Sequence, residues 1–116
     1  MSLQAELDYW QRKLRLMDWN IRLIEADDTL FEDANGSCLC DVQSKDAVIK
    51  VNVNGIDSYR AESVDDEHTL VHELLEIHFA PFKVSKDDDE DKHNAQECAI
   101  NMISEALVKE KRCSER

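Results

Sequence analysis

The sequence predicts a small α+β domain on three observations: a helical period near the N-terminus, three short stretches of two-residue period after it, and two further helical stretches that close the chain. In the first stretch Leu3, Leu7, Trp10, Leu14 and Met17 recur at spacings of three and four, with arginines and lysines on the other side, which predicts a helix over Leu3 to Met17 lying on a sheet. Trp19 to Glu25 (WNIRLIE) then alternates, with Ile21 and Leu23 on one parity, as a half-buried strand does. Asp33-Ala34-Asn35-Gly36 is a turn sequence. The two alternating segments that follow it, Ser37 to Val42 and Ala47 to Val53, are parted by Ser44-Lys45-Asp46 and predict an antiparallel meander or hairpin. The expected sheet is therefore small and mainly antiparallel, with three or four strands. Asn54-Gly55 ends the third strand, and Ser63-Val64-Asp65-Asp66 offers several N-caps for a helix that begins near Glu67. Pro81, which has no N–H to donate, should end that helix or follow close on its end. Lys83 to Lys92 reads as a charged connection, and the last helix runs from about Asp91 to about Arg112, with Cys98, Ile100, Met102, Ile103, Ala106 and Leu107 as its apolar stripe.

With 116 residues and no internal repeat, the chain is expected to form a single domain over 1–116. Its hydrophobic fraction of 42% is ordinary for a globular chain, and no apolar run approaches the roughly 18 residues of a membrane span. Neither a basic leader nor an apolar signal segment is visible, so a soluble, cytoplasmic protein is expected. The formal charge of −12 repels phosphate backbones and excludes ordinary nucleic-acid or anionic-membrane binding. Such a surface serves solubility, or it engages a protein partner that otherwise binds DNA. Cys38, Cys40, Cys98 and Cys113 form no C-x2-C pair, and reduced thiols are expected. Cys38 and Cys40 share a strand face, where packing is a simpler role than half of a soft-metal site. The acidic run Asp87 to Asp91 lacks the spaced ligands and central glycine of a calcium loop and suits a helix N-terminus.

The chemistry lies in the second helix, in the segment HTLVHELLEIH. His68, His72 and Glu76 are each four residues apart and stack along one helical face. Glu73 follows His72, rotated about 100° around the axis, while His78 points away from that face. The bland alternative is a helix that buries Leu70, Val71, Leu74, Leu75 and Phe79 and leaves His68, Glu73 and Glu76 in solvent.

His72-Glu73-x-x-Glu76 resembles the H-E-x-x-H signature of the zincin metallopeptidases, with Glu76 in place of the second histidine. The surrounding text, Thr69-Leu-Val-His-Glu-Leu-Leu followed by His78-Phe79-Ala-Pro81-Phe82, is similar to small phage and prophage zincin-like proteins of the minigluzincin kind, as are Trp10-Gln-Arg-Lys-Leu and Asp18-Trp19. The resemblance implies a zincin-like fold and a metal-dependent peptidase. Its metal ligands would be His72, Glu76 and, from the last helix, Glu97, with Glu73 as general base on the water nucleophile and a peptide substrate paired along an edge strand, Asp46 to Val53. His68, four residues before His72, is an alternative ligand, and His93, four before Glu97, ranks behind it.

A carboxylate binds zinc at about 2.0–2.2 Å, so Glu76 is chemically acceptable as a ligand. One histidine and two carboxylates nonetheless bring a Zn²⁺ site to zero net charge. Polarisation is then weaker than in a two-histidine site, and preference moves toward oxygen-seeking ions such as Mn²⁺. Two functional classes follow: a slow metallopeptidase acting on peptides, or a zincin-fold phage protein that has lost catalysis and acts as an acidic protein-binding module. Neither class involves nucleic acid or membrane.

Overall fold

The computed structural model describes residues 2–26, 35–53, 56–57, 62–63 and 65–115. The architecture is α+β: helix α1 (Leu3–Lys13), strands β1 (Asn20–Ala26), β2 (Gly36–Asp41) and β3 (Asp46–Asn52), the short strands β4 (Ile56–Asp57) and β5 (Glu62–Ser63), then helices α2 (Asp66–Phe79) and α3 (Glu90–Ser114). Of the expected turn sequences, Asp33, Ala34 and Asn54-Gly55 lie outside the described residues.

Helix α1 starts where the Ser2 side chain accepts a hydrogen bond from Ala5 N, and it stops earlier than its apolar spacing suggests. Arg15 takes a left-handed conformation (φ 59°). Its N–H bonds to the Arg12 carbonyl and that of Leu16 to the Gln11 carbonyl, the paired bonds of a Schellman cap. The break rotates Leu16 into the core, 3% exposed, and leaves Met17 outside at 60%. Leu3, Leu7 and Trp10 are buried as expected.

The main sheet has the order β1-β3-β2. The β2–β3 hairpin is antiparallel, with Cys38 opposite Ile49, and its turn is held by Asp41, whose Oδ1 accepts from Gln43 N and whose carbonyl accepts from Lys45 N. β1 pairs with the far side of β3 in parallel, Leu23 opposite Ile49. The sheet is thus mixed, and β3 is its central strand. The edge position that the resemblance implies for Asp46 to Val53 is therefore corrected, since β1 and β2 occupy its two sides. Two-residue periodicity, which reports only the face a residue occupies, could not have revealed it. β1 and β2 are the two edges of this three-stranded sheet, each unpaired on one side among the described residues.

Helix α2 is the hub, packing against α1, α3, β2 and β3. Asp65 caps it, accepting from His68 N, and Leu70, Val71, Leu74, Leu75 and Ile77 join Ile49, Val51 and Ile100 in the core. After Phe79 the chain tightens into a 3-10 turn over Ala80–Phe82, with Pro81 where its missing N–H costs nothing.

The buried face of α3 is Ile100, Ser104, Val108 and Lys111, a helical series that the apolar residues alone do not reveal. Ile100 keeps its expected role and Leu107 is half-buried. Cys98, Met102 and Ile103 are exposed, Met102 at 64%. Two polar side chains take the expected apolar places because each has a partner on α2, Ser104 with the half-buried His68 and Lys111 with the buried Glu67. Among the described residues no helix is long and apolar enough to cross a membrane.

Candidate metal centre

Glycine at position 36 sets the distance between the sheet and helix α2. A Cβ there would lie 2.7 Å from Thr69 Cγ2, 3.1 Å from the Lys50 carbonyl oxygen and 3.2 Å from Glu73 Cγ. Thr69 is buried and β-branched, so it has little room to turn aside. The first residue of β2 is thereby pressed onto the α2 turn that carries Glu73. Gly36→Ala is expected to destabilise the protein by about 1–3 kcal/mol, read from urea unfolding; wild-type stability would mean that β2 and α2 separate without cost.

On the neighbouring face of α2, His72 and Glu76 stand one turn apart and meet Glu97 of α3. His72 Nε2 lies 3.5 Å from Glu76 Oε1 and 3.3 Å from Glu97 Oε2. Among the described residues these three form the one group of at least three His, Cys, Asp or Glu side chains whose donor atoms converge, all within 4.8 Å of one another. Donors at about 2.0–2.2 Å from a tetrahedral zinc are separated by about 3.3–3.6 Å, so the two distances from His72 fit such an ion.

A cation of the chain itself completes the cluster. Lys83 Nζ lies 2.5 Å from Glu76 Oε2 and 2.8 Å from Glu97 Oε1. Each carboxylate therefore divides its oxygens, one toward His72 and one toward Lys83. The segment that carries Lys83 is strapped to α3 on both sides: Gln96 Nε2 donates to the Phe82 carbonyl (3.1 Å), and Gln96 Oε1 accepts from Val84 N (2.9 Å). His93 Nδ1 donates to the Val84 carbonyl at 3.0 Å. The rings of Phe79 and Phe82, with centroids 5.4 Å apart, hold the intervening turn.

Burial by itself would raise the Glu76 pKa, but the hydrogen bonds from His72 and Lys83 outweigh it and hold the carboxyl well below its usual range. Burial likewise works against charge on His72 and Lys83, and in both the facing carboxylates prevail and raise the pKa. Glu73 has no such direct partner among the described residues, and burial pushes it up to about 7, with the His72 charge opposing the shift. A carboxyl that titrates near neutrality is suited to accept a proton and return it.

The other sequence candidates separate from this cluster. His68 Nε2 is 2.8 Å from Ser104 Oγ. That hydroxyl gives its proton to the Asn101 carbonyl, so the imidazole is the donor and its Nε2 has no lone pair for a metal. His68 is a strut between α2 and α3. His93, with Nδ1 spent on Val84, approaches Glu97 Oε1 only to 3.9 Å. His78 is exposed and donates through Nε2 to the Leu14 carbonyl at 2.7 Å. Cys38 packs on the core, and burial, with Cys40 and Glu73 adding to it, drives its thiol pKa far up, which keeps it protonated and a poor metal ligand. The group that sequence reading missed is Lys83, placed only within a charged connection. Its signal was a lysine directly after the helix-ending Ala80-Pro81-Phe82, seven residues beyond Glu76.

No protein-family model, curated protein or solved structure matches this chain.

Proposed function

We propose that the chain is a metal-dependent hydrolase of peptide bonds, built in the manner of a zincin with Glu76 in place of the second histidine. The observation that carries this reading is the convergence of His72 Nε2, Glu76 Oε1 and Glu97 Oε2 at separations suited to a four-coordinate ion. Zn²⁺ is the ion these spacings favour, and Mn²⁺ is the alternative that two carboxylates admit. A divalent ion held there supplies Lewis acidity to a substrate carbonyl and lowers the pKa of water. Glu73, one residue beyond His72 and titrating at about 7, takes the proton of the attacking water and delivers it to the departing amine. An extended peptide pairs with the open side of β2, which packs on α2 at Gly36, and not with β3, whose two sides are occupied by β1 and β2.

Protein purified without chelator is expected to carry stoichiometric Zn²⁺ or Mn²⁺ by elemental analysis. Glu97→Ala should lose the ion while retaining its helical circular dichroism. A metal-free wild-type protein with no affinity for either added ion would overturn the proposal.

A further inference from the structure

The outer oxygens of Glu76 and Glu97 would ordinarily be free to join the metal. Carboxylates bind either through one oxygen or through two, and a site with one histidine and two such groups offers up to five donors. Five donors, most of them oxygen, suit a larger ion that tolerates high coordination numbers. Three donors arranged tetrahedrally, with one position open, suit catalytic zinc. The donor set alone therefore leaves the choice of ion open, and something else has to make it.

Lys83 holds the outer oxygens. Its ammonium is hydrogen-bonded to Glu76 Oε2 and Glu97 Oε1, while Glu76 Oε1 and Glu97 Oε2 face His72. The lysine is not a loose surface chain that falls there by chance: its side chain is 20% exposed, and Gln96 bonds the backbone on either side of it. The ammonium also returns the unit of positive charge that the site loses by carrying Glu76 where a histidine would stand.

We propose that Lys83 is the specificity-determining residue of this centre: by holding one oxygen of both Glu76 and Glu97, it limits each to a single metal-ligating atom and makes the site select zinc over manganese. The inference rests on the metal-site reading above and deepens it. Lys83 is a positioning residue, since it touches the ligands and not the ion.

The test is the ratio of Zn²⁺ to Mn²⁺ affinities, measured by calorimetry and chelator competition on the full chain. The ratio is informative because removing a nearby positive charge strengthens binding of both divalent ions alike, whereas freeing two oxygens favours manganese alone. In Lys83→Met the preference for zinc is expected to fall by about tenfold or more, the range found when groups behind metal ligands are removed. Lys83→Arg, which keeps the charge and two donors, should restore most of it. Co²⁺ gives an independent readout, with an intense four-coordinate visible spectrum in the wild type and a several-fold weaker, higher-coordinate spectrum in Lys83→Met. If the methionine variant does not fold, Lys83→Gln, which has no charge and one amide group for two carboxylates, is expected to show the same shift. An unchanged zinc-to-manganese ratio in the neutral variants, with the wild-type Co²⁺ spectrum, overturns the role of Lys83 and leaves the metal site standing. A wild-type protein that binds none of the three ions overturns both.

Discussion

On the proposed reading of the chain as a metal-dependent peptidase, Glu73→Gln is expected to lower the rate of peptide hydrolysis by about 10²–10⁴-fold, the usual contribution of a positioned general base, while metal content stays at the wild-type level. Glutamine has nearly the shape of glutamate, so it preserves the packing against Gly36, where an added Cβ would already stand 3.2 Å from Glu73 Cγ. What it removes is the capacity to accept a proton. The prediction is sharp because Glu73 is separate from the converging donors: His72, Glu76 and Glu97 hold the site, and Glu73 occupies the next position around the helix. The check is steady-state hydrolysis of an unfolded protein substrate beside elemental analysis of the same preparations. A glutamine variant as active as wild type would remove Glu73 from the chemistry. Loss of metal together with activity would mean that Glu73 supports the ligands and is not the base.

The two periodicities account for what could be read directly from the residues. A spacing of three and four located α1, cap and breaker residues bounded α2 and α3, a spacing of two located the three main strands, and the four-residue interval from His72 to Glu76 put both side chains on one face. Each of these is a local property of the chain. Apart from the early end of α1 at the Arg15 cap, the misses are non-local. The order β1-β3-β2 depends on which strand edge the chain returns to, and WNIRLIE reads the same whether it pairs parallel or antiparallel. On α3, counting apolar residues selected Met102 and Ile103, whereas the helix turns Ser104 and Lys111 inward because His68 and Glu67 wait for them across the interface. Lys83 reaches the His72-Glu76-Glu97 cluster because the 3-10 turn at Pro81 folds the connection back between α2 and α3. Glu97 came from the family resemblance and not from any spacing within the chain, and α2–α3 packing brings it to 3.3 Å from His72.

The largest stability effect is expected away from the candidate metal centre, at Lys111. Its ammonium and the Glu67 carboxylate form an ion pair with both side chains 7% exposed. Glu67 Oε2 also accepts from Trp10 Nε1 at 2.8 Å, and Oε1 accepts from Arg112 at 3.2 Å. Lys111 Nζ stands 4.6 Å from the Tyr9 ring centroid, where the ring face attracts a cation. One carboxylate thus joins α1, the start of α2 and the end of α3. Lys111→Met keeps most of the buried stem but leaves Glu67 without its main counter-charge, and removing one member of a buried pair costs about 3–5 kcal/mol. That is a large part of the roughly 5–15 kcal/mol that holds a domain together, and urea unfolding at neutral pH should show it directly. Replacing both residues, Glu67→Gln with Lys111→Met, should recover most of the loss, because no charge then remains buried and the glutamine carbonyl can still accept from Trp10 Nε1. The pH dependence has a defined sign. Burial would raise the Glu67 pKa, but the hydrogen bonds from Lys111 and Trp10 hold it below its ordinary 4.5, so its contribution is present above that value and fades as the pH falls through the lower folded pKa. Burial would lower the Lys111 pKa, but Glu67 holds it above 10.5, so its contribution is full below that value and is lost as the pH rises through the higher folded pKa. Wild-type stability should therefore fall at both extremes, and the double variant should fall less steeply at each. A Lys111→Met variant within about 0.5 kcal/mol of wild type, the range of ordinary surface substitutions, would show that the pair contributes nothing to holding the three helices together.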